Sequence, residues 1–184
     1  MMIITMTNNE ILTLNSGTEK PYEFTPEERL KVVSAEIDQE TVPDNMFMEC
    51  ANMTSVKFSE KVKIIGAGAF LKCINLSGHL NLPSGIMRIG EFSFHGCASL
   101  VGNLIIPDTC IHIGPSAFGG CTGMKGYLYY PRDSLAFHAW DKKKALGCHF
   151  RETEMTVLRT EDITTVDEQI GHLIRQLVIS QLDD

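Results

Sequence analysis

Cysteine and histidine are the residue types here that could carry chemistry, and six of each occur in 184 residues. Their spacing decides which chemistry to consider. Cys110-x-His112 and His95-x-Cys97 put thiols near imidazoles, but neither has the paired ligand spacing that a tetrahedral zinc site draws on. Cys148-His149 would be a thiol nucleophile beside its base, yet adjacent residues of an extended chain point to opposite faces, so the pairing in sequence is no evidence of contact. Gly66-Ala67-Gly68 lacks the third glycine of a phosphate-binding loop. The expectation is a chain with no catalytic residue, no metal site and no cofactor.

Four of the cysteines have a different explanation. Cys50, Cys73, Cys97 and Cys121 recur every 23 or 24 residues, in step with Phe47, Phe70, Phe94 and Phe118. Gly66, Gly90 and Gly114 make a third column, and Pro83, Pro107 and Pro131 a fourth. A fixed period of this length, kept by apolar and turn residues alike, predicts a stacked-repeat solenoid in which one coil buries half of its apolar side chains and the neighbouring coils bury the rest. The cysteine column then faces the interior beside the phenylalanines as free thiols acting as small hydrophobes, which fits a reducing compartment.

The elements that must position these columns follow from the pattern within one repeat. Leu80 and Leu82 alternate with His79 and Asn81, a period of two that predicts a strand with one face inward, and Leu104 with Ile106, then Leu128 with Tyr130, take the same inward positions. Each proline ends its strand. A second short extended piece follows, Met87 to Ile89 or Ile111 to Ile113. Gly90 and Gly114 permit a sharp corner there, and Ser93 to Cys97 reads as a helical or 3₁₀ turn.

Repeats worded as IGAGAFLKCINLSGHLNLP (Ile65 to Pro83) and IGPSAFGGCTGMKGYLYYP (Ile113 to Pro131) resemble the BspA-like leucine-rich repeats, whose units run roughly L-x-x-(x)-L-x-I-P, then I-G-x-x-A-F-x-x-C. The resemblance covers Val42 to Pro131, with a degenerate unit on each side. It implies a leucine-rich-repeat fold and a role in binding other macromolecules, since family members include surface and adhesion proteins, and it implies no catalysis. The expected fold class is an α/β solenoid, a right-handed leucine-rich-repeat coil with a short parallel β-sheet, followed by a C-terminal amphipathic helix.

Outside the clear repeats the chain changes character. Residues 1–29 are expected to be an N-terminal segment or cap containing one strand, Glu10 to Leu14. Thr25-Pro26-Glu27-Glu28 has the form of a capped helix start, but Leu30 shares the period of Met53, Leu76, Leu100 and Met124. On that register Leu30 to Ala35 becomes the strand of a zeroth repeat, preceded by at most one helical turn, with Val33 and Ala35 on the inward positions of Val56 and Phe58. The solenoid is assigned to 30–131. A degenerate repeat with Trp140, rebuilt as a lid, takes 132–150, and an acidic extension takes 151–184. In that extension Thr165-x-x-Glu168 is a capping box ahead of Val166, Ile170, Leu173, Ile174, Leu177, Val178 and Leu182, one apolar stripe on a helix of about 17 residues. So short a helix is marginal alone and must dock, either sealing the last coil or binding a partner.

Charge excludes one class of partner. Lys and Arg against Asp and Glu number 3 and 8 in residues 1–41, 10 and 7 in 42–150, and 3 and 8 in 151–184. Two acidic ends around a mildly basic middle do not make the concentrated basic patch that nucleic acid requires. No window approaches the roughly 18 apolar residues of a membrane span, and MMIITMTNNE has no basic region ahead of its apolar residues. The expected location is intracellular and cytoplasmic.

That leaves the outward face of the strand column as the candidate site. Its rows read Ser55, His79, Asn103, Tyr127 and Lys57, Asn81, Ile105, Tyr129, passing from polar and basic to apolar and aromatic. Lys57, His79, Asn81, Asn103, Ile105, Tyr127 and Tyr129 are the expected partner-binding residues, Tyr being favoured at interfaces for its large area at small entropy loss. The competing account is that Ile105, Tyr127 and Tyr129 are covered by the lid or the C-terminal helix. The expected function is a non-catalytic protein–protein interaction scaffold, an accessory or structural subunit of a larger assembly. The alternative is a surface or secreted recognition protein, for which Asn52-Met53-Thr54 and Asn75-Leu76-Ser77 would be glycan acceptors.

Overall fold

The chain winds around a stack of aromatic rings. The computed structural model describes residues 1–15, 23–107 and 109–125 and the backbone of 128–129. In chain order the elements are β1 (Met2–Met6), β2 (Ile11–Leu14), the helical turn α1 (Pro26–Arg29), β3 (Val32–Ile37), β4 (Thr41–Val42), β5 (Ser55–Phe58), β6 (Ile64–Ile65), β7 (Arg88–Ile89), β8 (Leu104–Ile105), β9 (His112–Ile113) and β10 (Leu128–Tyr129). Phe47, Phe70, Phe94 and Phe118 are fully buried, with successive ring centroids 5.2, 5.1 and 5.5 Å apart and planes within 14°, 5° and 3°. Such stacking adds roughly 0.5–1.5 kcal/mol per pair to the burial itself. Met53, Leu76, Leu100 and Met124 fill a second buried column.

Between the columns, backbone bonds tie coil to coil. In the segment after each Gly-column residue, alternate N–H groups go to different places. Those of Gly68, Phe70 and Lys72 donate to Glu91, Ser93 and His95 of the next coil, while those of Ala69, Leu71 and Cys73 donate three residues back within their own coil. The preceding and following coils repeat the scheme, so this side is a run of turns closed by bonds three residues back, in keeping with the helical or 3₁₀ turn that the sequence suggests. The alternation needs left-handed backbone at Asn45, Gly68, Phe92 and Ser116, and again at Glu49, Lys72, Gly96 and Gly120, one coil apart in each set.

The regular sheet lies on the second extended piece, where β4, β6, β7 and β9 pair in parallel with Val42, Ile65, Ile89 and Ile113 in one row. The first strand column, expected to be continuous, is broken. β3 pairs with β5, and β8 with β10, but residues 79–82 between them form no strand, and the one bridge nearby joins Gly78 to Leu100. Spacing accounts for the break next to β5. The inward Val56 comes three positions after Met53, whereas Leu80 and Leu104 come four positions after Leu76 and Leu100, the added residue being left-handed Gly78 or Gly102. A one-residue offset cannot be carried across a ladder without losing the pairing. The inward positions themselves hold: Leu80, Leu104 and Ile106 are buried and Leu82 packs half-buried against the core.

Two expectations at the N-terminal end are corrected. Ala35 pairs with Val56 and Ile37 with Phe58, an offset of 21, so Val32 sits level with Met53 and Leu30 is 55% exposed. The single helical turn is present, with the Thr25/Glu28 capping box closed at both bonds. The first segment holds two strands where one was expected. β1 buries Met2, Ile4 and Met6, pairs antiparallel with β2 on one side and with β3 on the other, and covers the open edge of the first coil. The expected lid over 132–150, Tyr127, Tyr130 and the C-terminal helix lie outside the described residues.

Candidate interaction surface

The thiols are positioned by the turn side of each coil and point inward. Cys73, Cys97 and Cys121 donate Sγ–H to the carbonyls of Phe47, Phe70 and Phe94 at 3.0, 3.1 and 3.1 Å. Burial pushes Cys50 and Cys121 up to about 12 and Cys110 up to about 11, and raises Cys73 and Cys97 further. A buried thiol held protonated in this way is a poor nucleophile. Cys110 meets the backbone carbonyl of His112 and not its imidazole, and the Nδ1 of His95 lies buried against Gly119 without a partner. Among the described residues no three His, Cys, Asp or Glu side chains converge on one point. The N–H groups of Gly66, Ala67 and Gly68 are already engaged by Val42, the Asp44 carboxylate and Glu91, so no anion-binding nest is left there.

The outward strand rows divide into two parts at the break. On the first sheet Lys57 is exposed and paired to Glu36 at 3.2 Å, its register partner on β3. With side chains 78% and 58% exposed, this pair contributes at most about 1 kcal/mol. Lys61–Asp38, Lys63–Glu40 and Lys72–Glu49 are further surface rungs, and the Lys61 and Lys72 ammonium groups hold the Asp38 and Glu49 carboxyls below their ordinary range. His79 and Asn81 are exposed on the irregular stretch. The His79 ring lies across Gly102, where a Cβ would come within 2.6 Å of Nε2. Asn103 and Ile105 are half-buried, and Ile105 stands opposite Tyr129 in the β8–β10 register. Tyr127 and the Tyr129 side chain lie outside the described residues. The structure therefore brings Ile105 and Tyr129 to adjacent coils but leaves Lys57 in a separate sheet.

A second outward face was not anticipated. On the outer side of β6, β7 and β9, Met87 and Ile111 are 42% and 52% exposed, adjacent through the bond from Ile111 N–H to the Met87 carbonyl, and Arg88 and His112 stand in register beside them. The signal lay in the column Lys63, Met87, Ile111, where charge gives way to apolar residues. Phe92, 41% exposed, is another apolar residue on the surface, its ring edge-on to His95 at 5.5 Å.

Comparison with protein families matches residues 40–131 to the BspA-type leucine-rich-repeat region, in six copies. No curated protein matches the chain. Among solved structures, a leucine-rich-repeat protein of T. pallidum is similar at 23% identity and a TM-score of 0.43, over 53% of this chain and 52% of that one. The chain thus spans about half the length of that protein.

Proposed function

Because the chain belongs to the BspA-type leucine-rich-repeat family, we propose that it is a non-catalytic scaffold that holds or joins other proteins, as an accessory subunit of a larger assembly inside the cell. One observation carries the reading: the five described cysteines are buried in the core, while Lys57, His79 and Asn81 are exposed along consecutive coils. Rows of side chains fixed by a stacked backbone bind without losing much backbone entropy, which suits recognition of a protein surface. The apolar end of the rows, Ile105 and Tyr129 on adjacent coils, is the anchor of that surface and Tyr127 its continuation. Replacing Tyr127 and Tyr129 by Ala and purifying the chain with its partners from the native source tests the assignment. Loss of specific partners is expected, with a Lys125→Ala variant as the control; recovery of the same partners in the same amount sinks it.

A second reading, a surface or secreted recognition protein, is favoured by the exposure of both acceptor asparagines. Each amide is already in use, however: Asn52 Nδ2 donates to the Leu30 carbonyl at 2.6 Å and Asn75 Nδ2 to the Ala51 carbonyl at 2.9 Å. These bonds make the two asparagines rungs between coils. Intact-mass measurement on natively sourced protein separates the readings, since added hexose mass on Asn52 and Asn75 belongs to the second alone.

A further inference from the structure

We infer that the outer face of β6, β7 and β9 is the seat of the chain's own C-terminal apolar stripe. The inference is independent of the partner surface proposed above. Met87 and Ile111 are large apolar side chains, 42% and 52% exposed and side by side, with half-buried Ile64 on β6 beside Arg88 in register. Scattered apolar exposure is ordinary, but here two such residues are adjacent, each leading into a strand of the parallel sheet that runs unbroken through four coils among the described residues.

Charge selects the occupant. Lys63, at the N-terminal end of the column, is neutralised by Glu40 at 3.5 Å, whereas Arg88 makes no ion pair among the described residues. The apolar patch is therefore rimmed by an open cation and the His112 imidazole. Residues 151–184 carry 8 acidic and 3 basic side chains, and their stripe of Val166, Ile170, Leu173 and Leu177 has the spacing of one helical face. An acidic helix with an apolar face fits a basic-rimmed apolar sheet in both sign and hydrophobicity. About 17 residues of helix run near 25 Å, longer than the about 14 Å from β4 to β9 at 4.8 Å per strand, so such a helix spans the face and extends past it.

Hydrogen exchange on the full chain tests the assignment. Amides of 166–182 are expected to exchange at least about tenfold more slowly than an unstructured segment, at a rate unchanged by dilution. In the double variant Met87→Asp/Ile111→Asp that protection is lost, while the amides of Ile65 and Ile89 stay protected and report an intact solenoid. Arg88→Glu gives a partial loss. Fast exchange of 166–182 in the unmodified chain overturns the inference, as does protection that survives the double variant, which would put the stripe on the last coil. Protection that fades on dilution overturns it in favour of a second copy as the occupant.

Discussion

Cys97 and Phe70 are joined across one coil: the Cys97 thiol donates to the Phe70 carbonyl oxygen at 3.1 Å, and that carbonyl also accepts the Cys73 N–H at 3.2 Å. The thiol is thus both a small apolar filler and a donor to an acceptor with a lone pair to spare. Serine keeps the donor and nearly the size; valine keeps the apolarity, loses the donor and adds a branch. Cys97→Ser is expected to lower stability by less than about 1 kcal/mol and Cys97→Val by about 2 kcal/mol, read from denaturant midpoints. The reverse order would show that the column wants only hydrophobicity.

Gly90 is needed for closeness. A Cβ there would lie 2.5 Å from the Ala67 nitrogen and 2.6 Å from the Gly66 carbonyl carbon, both backbone atoms of the preceding coil. The sequence suggested a corner requiring glycine's torsional freedom, but the reason found is that adjacent coils touch. Gly90→Ala is expected to cost more than about 3 kcal/mol or to prevent folding. At Gly85, where a Cβ meets only the Glu60 carbonyl at 3.6 Å, alanine is expected to be neutral or to stabilise by up to about 1 kcal/mol. Equal effects at the two sites would refute the close-approach account.

Phe92 occupies a left-handed backbone position, φ 53°, that Asn45, Gly68 and Ser116 fill in the other coils. An aromatic residue is a poor choice there, with a strain on the order of 1 kcal/mol, and its exposed ring recovers only the edge contact with His95. Phe92→Asn is expected to raise the unfolding free energy by about 1 kcal/mol in chemical denaturation. A loss of stability would mean that the ring's contacts outweigh the backbone.

The solenoid could be read from the sequence because each column holds one chemical type: Phe stacked on Phe, Cys on Cys, Gly where coils touch. What escaped reading is set between coils. Glu49, Lys72 and Phe92 have no preference for left-handed backbone, and the alternating ladder imposes it on them. The break in the first strand column turned on one extra residue, Gly78, which shows only as a count of four where the coil before had three. β1 was missed because an apolar stretch at the start of a chain has no period to compare with. At the candidate surface, Ile105 and Tyr129 fall on adjacent coils as their spacing implies, but Met87 and Ile111 were missed because a residue before a two-residue strand has no alternation to assign it inside or out, and only the Lys63, Met87, Ile111 column carried a trace of them.

Ser93 is fully buried and its hydroxyl has no hydrogen-bond partner. The equivalent positions one coil away are Ala69 and Ala117, both fully buried. Removing an unpaired buried hydroxyl at a site shaped for a methyl group relieves a desolvation cost of about 1–3 kcal/mol, so Ser93→Ala is expected to stabilise the chain by about 1 kcal/mol. A destabilised variant would reveal a partner for the hydroxyl, such as a buried water.

The buried thiols also predict a weakness in alkali. In the unfolded chain they ionise near the ordinary thiol value of 9.0, whereas in the folded chain burial holds Cys110 protonated to about 11 and Cys50 and Cys121 to about 12. The folded value is the raised one, so stability is whole below the unfolded value and is lost as pH climbs towards the folded one. Over that window the unfolded state sheds protons that the folded state must keep, and each thiol weakens folding by about 1.4 kcal/mol per pH unit. Denaturant midpoints are therefore expected to hold steady from pH 7 to 8.5 and to fall steeply above about pH 9. Lysine and tyrosine titrate nearby, so the decisive comparison is with Cys97→Ser, whose slope should be shallower by one thiol's share. Identical slopes would show that the Cys97 thiol has access to solvent, contrary to its place in the core.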